Sequence, residues 1–156
     1  MADFTDLTGR LLVLYDGECG FCNYSIRWLL SRDGHDRLRF APSNLPAVQE
    51  LLSSHGVPLK RQNSGPNLEP ESGPDTLLVF RNTGTPVEEL LVRSNAFLAC
   101  LRVLPQPWPS LAAILRLLPR ALRDFVYRLI ARHRYRIWGR FASCPIPTPE
   151  ERLHFL

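Results

Sequence analysis

No stretch of this sequence offers about 20 uninterrupted apolar residues, the length a membrane-crossing helix needs. The longest candidate, residues 111–131, carries Arg116, Arg120, Arg123, Asp124 and Arg128 and is cut by Pro119. The opening decapeptide MADFTDLTGR is acidic and lacks an apolar run, so it does not read as a secretory leader. Cysteine is scarce, with 4 in 156 residues. Without a leader, these four are not expected to build an extracellular disulfide framework. A cytoplasmic, reducing setting is the expectation, and there a close cysteine pair reads as catalytic or metal-binding. No internal repeat is present. Acidic residues nearly vanish between positions 116 and 140, where Arg116, Arg120, Arg123, Arg128, Arg132, Arg134, Arg136 and Arg140 face Asp124 alone. That imbalance, within a formal charge of +4, reads first as a solvated helix face and second as a surface for an anionic partner. Trp28, Trp108 and Trp138 read as packing anchors rather than a base-stacking platform, so no nucleic-acid partner is expected.

What remains is an ordinary globular composition, 45% hydrophobic and 22% charged, in a chain of single-domain length. Residues 10–16 (RLLVLYD) form a continuous apolar run, as a buried central strand does. Residues 21–34 follow with helical spacing at Phe21, Ile26, Leu29 and Leu30. Residues 37–42 alternate with period two and stop at Pro42, a second strand. Residues 45–56 read as a helix with Pro46 in its first turn and Gly56 at its end. Residues 57–74 are rich in Pro, Gly, Ser and Asn and read as a surface loop. Residues 75–81 and 87–93 read as a hairpin, and Ser94 as the cap of a following helix. Two more helices span 110–118 and 119–139, and Thr148 with Glu151 forms a capping box near the end. The order β-α-β-α-β-β-α is that of a thioredoxin-like α/β fold with a mixed sheet. The division is one domain over 1–156, with a core at 10–104 and a helical extension at 105–156.

The pair that invites chemistry is Cys19-x-x-Cys22, at the junction of the first strand and first helix. A helix N-terminus offers unpaired N–H groups and the positive end of the dipole, both of which favour a thiolate. Residues three apart there lie roughly 5–6 Å from each other, within disulfide reach. Cys19 is therefore expected to be the exposed, attacking thiol and Cys22 the shielded, resolving thiol. A zinc site needs two further ligands, and Cys144, His133 and His154 occur singly. Two inert core thiols are the third reading. Asp16, three residues before Cys19, is either a proton acceptor for Cys22 or a holder of the turn. Cys100 sits on an apolar helical face and reads as core. Cys144 reads as structural, with a third redox thiol as the alternative. Arg93 is a candidate partner for Asp16 or for a bound anion, with a surface salt bridge equally open.

The stretch DGECGFC resembles the signature of the DCC family of predicted thiol–disulfide oxidoreductases, an Asp, Cys, Cys pattern matched by Asp16, Cys19 and Cys22. RFAP, RSNA, the arginine-rich helical block and CPIPTPEERLHFL resemble further blocks of that family, so the likeness covers most of the chain. The resemblance implies a thioredoxin-like fold and disulfide exchange with a protein or small thiol substrate, re-reduced by an unidentified partner. No cofactor is required, because the disulfide itself carries two electrons. Glu18 and Gly20-Phe21 depart from the Trp and Gly-Pro of thioredoxins proper. Pro74 lies near the place of their cis-proline. The rival reading is a non-enzymatic interaction module whose basic helices bind an anionic surface.

Overall fold

The computed structural model describes residues 7, 9–17, 19–57, 77–139, 148–149 and 151–156. Glu18, most of the 57–74 loop, Pro74, the first residues of the predicted third strand and Cys144 lie outside the described residues. The sheet is built on β1 (Leu11–Tyr15), whose five residues are all buried. It runs parallel to β2 (Leu38–Pro42) on one side and antiparallel to β3 (Leu78–Arg81) on the other, and β4 (Glu89–Val92) pairs antiparallel with β3. The order β2-β1-β3-β4 is the mixed sheet of a thioredoxin-like α/β fold, as the element order implies.

Side chains alternate across a strand, so β1 divides between two cores. Leu11, Val13 and Tyr15 join Phe40, Val79, Ile26, Leu29, Ala96 and Leu101 on one face. Leu12 and Leu14 join Ala41, Leu78, Phe80, Val48 and Leu52 on the other. Fully burying each of these large side chains is worth about 1.5–3 kcal/mol. The first face is covered by α1 (Gly20–Leu30) and α3 (Arg93–Val103), the second by α2 (Pro46–Ser54). Pro46 opens α2, and Gly56 follows its end in the left-handed region at φ 68°.

Predicted boundaries move: α1 ends at Leu30, short of Gly34, and the start of α3 shifts. Ser94 does not cap α3. Val92 occupies that position, and Arg93 enters the helix at φ 55°. Ser94 lies inside the first turn, buried, and its hydroxyl donates to the Asp124 carboxylate. Beyond α3 come α4 (Trp108–Leu117) and α5 (Arg120–Trp138). Here α4 packs on α3, and α5 packs on both α1 and α3. Thr148 and Glu151 form the expected reciprocal capping box, with N–H donations of 2.8 and 3.3 Å, at the head of a short 3₁₀ turn. After that turn the Leu156 N–H donates to the Phe40 carbonyl and Phe155 bridges Phe40, so the chain's last residues lie along the free edge of β2.

Candidate active site

The first strand ends at Tyr15 and α1 begins at Gly20, so residues 16–19 make the turn that carries the first cysteine. Cys19 has extended backbone (φ −84°, ψ 117°) and is the N-cap of α1. Its N–H donates to the Asp16 carbonyl at 3.2 Å. Its Sγ accepts the Cys22 N–H at 3.3 Å, as a cap side chain accepts from the first turn. Asn23, one residue further, holds the turn from below. Its amide donates to the Gly17 carbonyl at 2.8 Å and to the Cys19 carbonyl at 3.0 Å.

The two thiols are electrostatically unlike. Cys19 is lowered to about 6. The Cys22 thiol, donating to it, does most of this, with help from the Cys22 N–H and Arg134, against burial and the Asp16 charge. Cys22 is pushed far above the ordinary thiol range. Its bond to Cys19 contributes most, followed by burial and the neighbouring Cys19 charge. The two directions favour a thiolate on Cys19 and a proton on Cys22.

Accessibility runs opposite to the sequence expectation. Cys19 is 0% exposed, whereas Cys22 is half-buried and lines a cavity of about 150 Å³. The end of α5 closes over the head of α1. The Gly20 N–H donates to the Gly139 carbonyl at 3.3 Å, and Phe21 packs on Trp138 with ring centroids 4.7 Å apart. A Cβ on Gly20 would lie 2.5 Å from the Trp138 carbonyl oxygen, so this approach requires glycine. The cavity wall is apolar, formed by Phe21, Ile26, Leu77, Phe97, Tyr127 and Ile130, and near the sulfur it carries Asp16 and Arg134.

Arg134 is the residue that sequence reasoning missed. It is 3% exposed, its Nη1 lies 3.9 Å from Cys22 Sγ, and its Nη2 lies 4.0 Å from the Asp16 carboxylate. A signal for it existed. Tyr127, Ile130, Ala131 and Arg134 recur at helical spacing on one side of α5, which places one arginine of the basic series inward. Asn23 was equally visible as an amide in the first helical turn. Arg93, the predicted partner for Asp16, is exposed at the start of α3, where its charge acts on Asp124. Cys100 is fully buried in α3, and burial pushes its thiol up to about 12. It is a core residue, as expected.

Among the described residues, one group of three possible metal ligands comes together, Asp33, Asp36 and His154, and it includes neither Cys19 nor Cys22. Asp36 there is bonded by Arg10 and Arg39, and Asp33 accepts the N–H groups of Arg37 and Leu38.

A family model described as DCC1-like thiol-disulfide oxidoreductase matches residues 13–140. A Bacillus subtilis protein named YuxK and described as uncharacterized is 28% identical over 145 residues, 93% of each chain. The Arabidopsis thaliana DCC family protein At1g52590, described as chloroplastic, is 26% identical over 145 residues, covering 93% of this chain and 74% of that one. No solved structure matches.

Proposed function

The chain belongs to the DCC1-like thiol-disulfide oxidoreductase family, and from that premise we propose that it reduces disulfides in protein or small thiol substrates through Cys19 and Cys22. The observation that carries this reading is the placement of Cys19 as the cap of α1, its Sγ accepting the Cys22 N–H at 3.3 Å, a position that favours its thiolate. The Cys19 thiolate attacks one sulfur of the substrate disulfide, forming a mixed disulfide and expelling the other sulfur as a thiolate. Cys22 then gives up its proton and attacks Cys19. The Cys19–Cys22 disulfide forms, and the second substrate thiolate leaves with the remaining electrons. Asp16 is the proposed acceptor of the Cys22 proton, and Arg134 steadies both the carboxylate and the thiolate that results. An external dithiol must return the two electrons. A reducing, cytoplasm-like compartment suits this direction of flow.

Burial of Cys19 adds a requirement: its sulfur must be uncovered before a substrate disulfide reaches it, and in this reading the Trp138–Gly139 backbone against the neighbouring Gly20 is the part that lifts. The partly exposed Cys22 favours a second reading, in which Cys22 meets the substrate from the cavity and Cys19 resolves. A trapping experiment separates the two. With Cys22→Ser, mixed disulfides to client proteins are expected to accumulate on non-reducing gels, and with Cys19→Ser they are not. The reverse pattern supports first attack by Cys22. Trapping by neither variant would sink the exchange reaction.

A further inference from the structure

The outward side of α5 is mostly apolar, with His133 and Arg136 also exposed on it. Leu122, Phe125, Val126, Leu129 and Ile137 are each between 46% and 65% exposed. At about 100° per residue they fall in one stripe. The inward side carries Tyr127, Ala131 and Arg134, which face α1, α3 and the cavity. The solvent-facing side of a surface helix is normally its polar side, so this arrangement is inverted. On α4, Ile114 and Leu117 are 62% and 85% exposed and extend the same character.

Arg128 and Arg132 border the stripe and Arg136 enters it near the end of the helix; the three are spaced i, i+4, i+8 and all are exposed. Residues 108–139 contain seven arginines and a single acid, Asp124. That acid is already engaged by Ser94 and by Arg120. An apolar stripe with an arginine border is the pattern of a helix that lies in the headgroup region of an anionic bilayer. We propose that α5 docks on an anionic phospholipid surface, its apolar stripe among the acyl chains and its arginine row against the headgroup phosphates.

Charge decides between this occupant and the others. A second copy seated on the same face would bring two arginine rows together with one engaged aspartate apiece to offset them. An acidic protein would supply the charge. It would also need a concave apolar surface to fit a convex helix, whereas a bilayer yields to one. No helix among the described residues is long and apolar enough to cross a membrane, so the contact is interfacial. Ile130 belongs both to the edge of the stripe and to the cavity wall beside Cys22, so a docked molecule would open that cavity near the lipid–water boundary.

The test is co-sedimentation of the full chain with vesicles at physiological ionic strength, where the screening length is about 8 Å. Phosphatidylglycerol-rich vesicles are expected to carry the protein down at least roughly tenfold more strongly than phosphatidylcholine vesicles. Arg128→Glu with Arg132→Glu is expected to remove most of that binding, and so is Phe125→Ser with Leu129→Ser. Circular dichroism checks the fold of each, and if the apolar pair unfolds, the exposed arginine pair decides. Four results would each overturn the proposal: no binding to anionic vesicles, equal binding to both vesicle types, binding indifferent to the folded variants, or tighter binding to polyglutamate than to lipid. A dimer in light scattering that Phe125→Ser with Leu129→Ser dissociates, without vesicle binding, would assign the face to self-association instead.

Discussion

At the scale of single residues, Cys19 and Cys22 differ in the direction their thiols are shifted, Cys19 down and Cys22 up. The Cys19 thiolate lies below the ordinary thiol value near 8.5, at about 6. Its contribution to the stability of the reduced protein is therefore fully present above about pH 8.5 and is lost as pH falls through 6. Cys22 acts oppositely above pH 8.5, where it would ionise if unfolded but not in place. The melting temperature of the reduced protein is expected to rise between pH 6 and 8, and Cys19→Ser should flatten that rise. Thiolate absorbance in the ultraviolet measures the same group directly. Arg134 lowers both thiols and Asp16 raises both, so Arg134→Gln should move the midpoint up and Asp16→Asn should move it down. Midpoints indifferent to both would remove this charge pair from the site. Cys19, Cys22 and Asp16 were legible because they are neighbours in sequence and their spacing suits a helix start. Arg134 was hidden by distance along the chain, 112 positions from Cys22, and by the apparent uniformity of the arginines around it.

At the scale of elements, the informative contact is α5 on the head of α1. Nothing in either segment alone predicts it. Gly20 reads as a turn residue, and its real constraint is the Trp138 carbonyl oxygen, 2.5 Å from where a Cβ would stand. Gly20→Ala forces one of the two helices to move. Overpacking of this kind costs roughly 1–3 kcal/mol, and the end of α5 is the part expected to move. Reaction of Cys19 with iodoacetamide is then expected to speed up by about tenfold, the change that about 1.4 kcal/mol of easier opening gives. Mass spectrometry of the labelled peptide identifies the modified cysteine. A large loss of stability without faster labelling would show that Cys19 is covered by something other than the end of α5. The strands and α2 were legible for the opposite reason. Their apolar periodicity, Pro46 and Gly56 are local signals, whereas the start of α3 was misread because the Ser94 hydroxyl serves Asp124, 30 positions away.

Over the whole molecule, sequence reading gives one domain with a core and a helical extension, and the contacts tie the extension to the candidate site. Trp28 of α1 and Trp108 of α4 meet edge to face at 4.7 Å, with Arg32 over both rings. The Tyr127 hydroxyl of α5 accepts the Leu77 N–H at 2.7 Å, just ahead of β3. Leu77 in turn accepts the Arg93 N–H at 3.1 Å where α3 begins. The sheet, α3 and α5 thus meet at one backbone position beside the cavity. If these links make one cooperative unit, near-ultraviolet, tryptophan and far-ultraviolet signals should melt together. Tyr127→Phe sharpens the point. It leaves the partly buried Leu77 N–H without its acceptor, at a cost of about 1–3 kcal/mol, while the ring still fills its place. A lower melting temperature shared by all three signals is the expected result. The same substitution loosens the helix that carries Arg134, so the Cys19 thiolate midpoint should rise with it. A stability loss with an unmoved midpoint would mean that Arg134 is positioned by its own contacts. Separate transitions for the tryptophans and the sheet would mean that the extension folds as an appendage, and that its arginine reaches the dithiol without sharing the stability of the core.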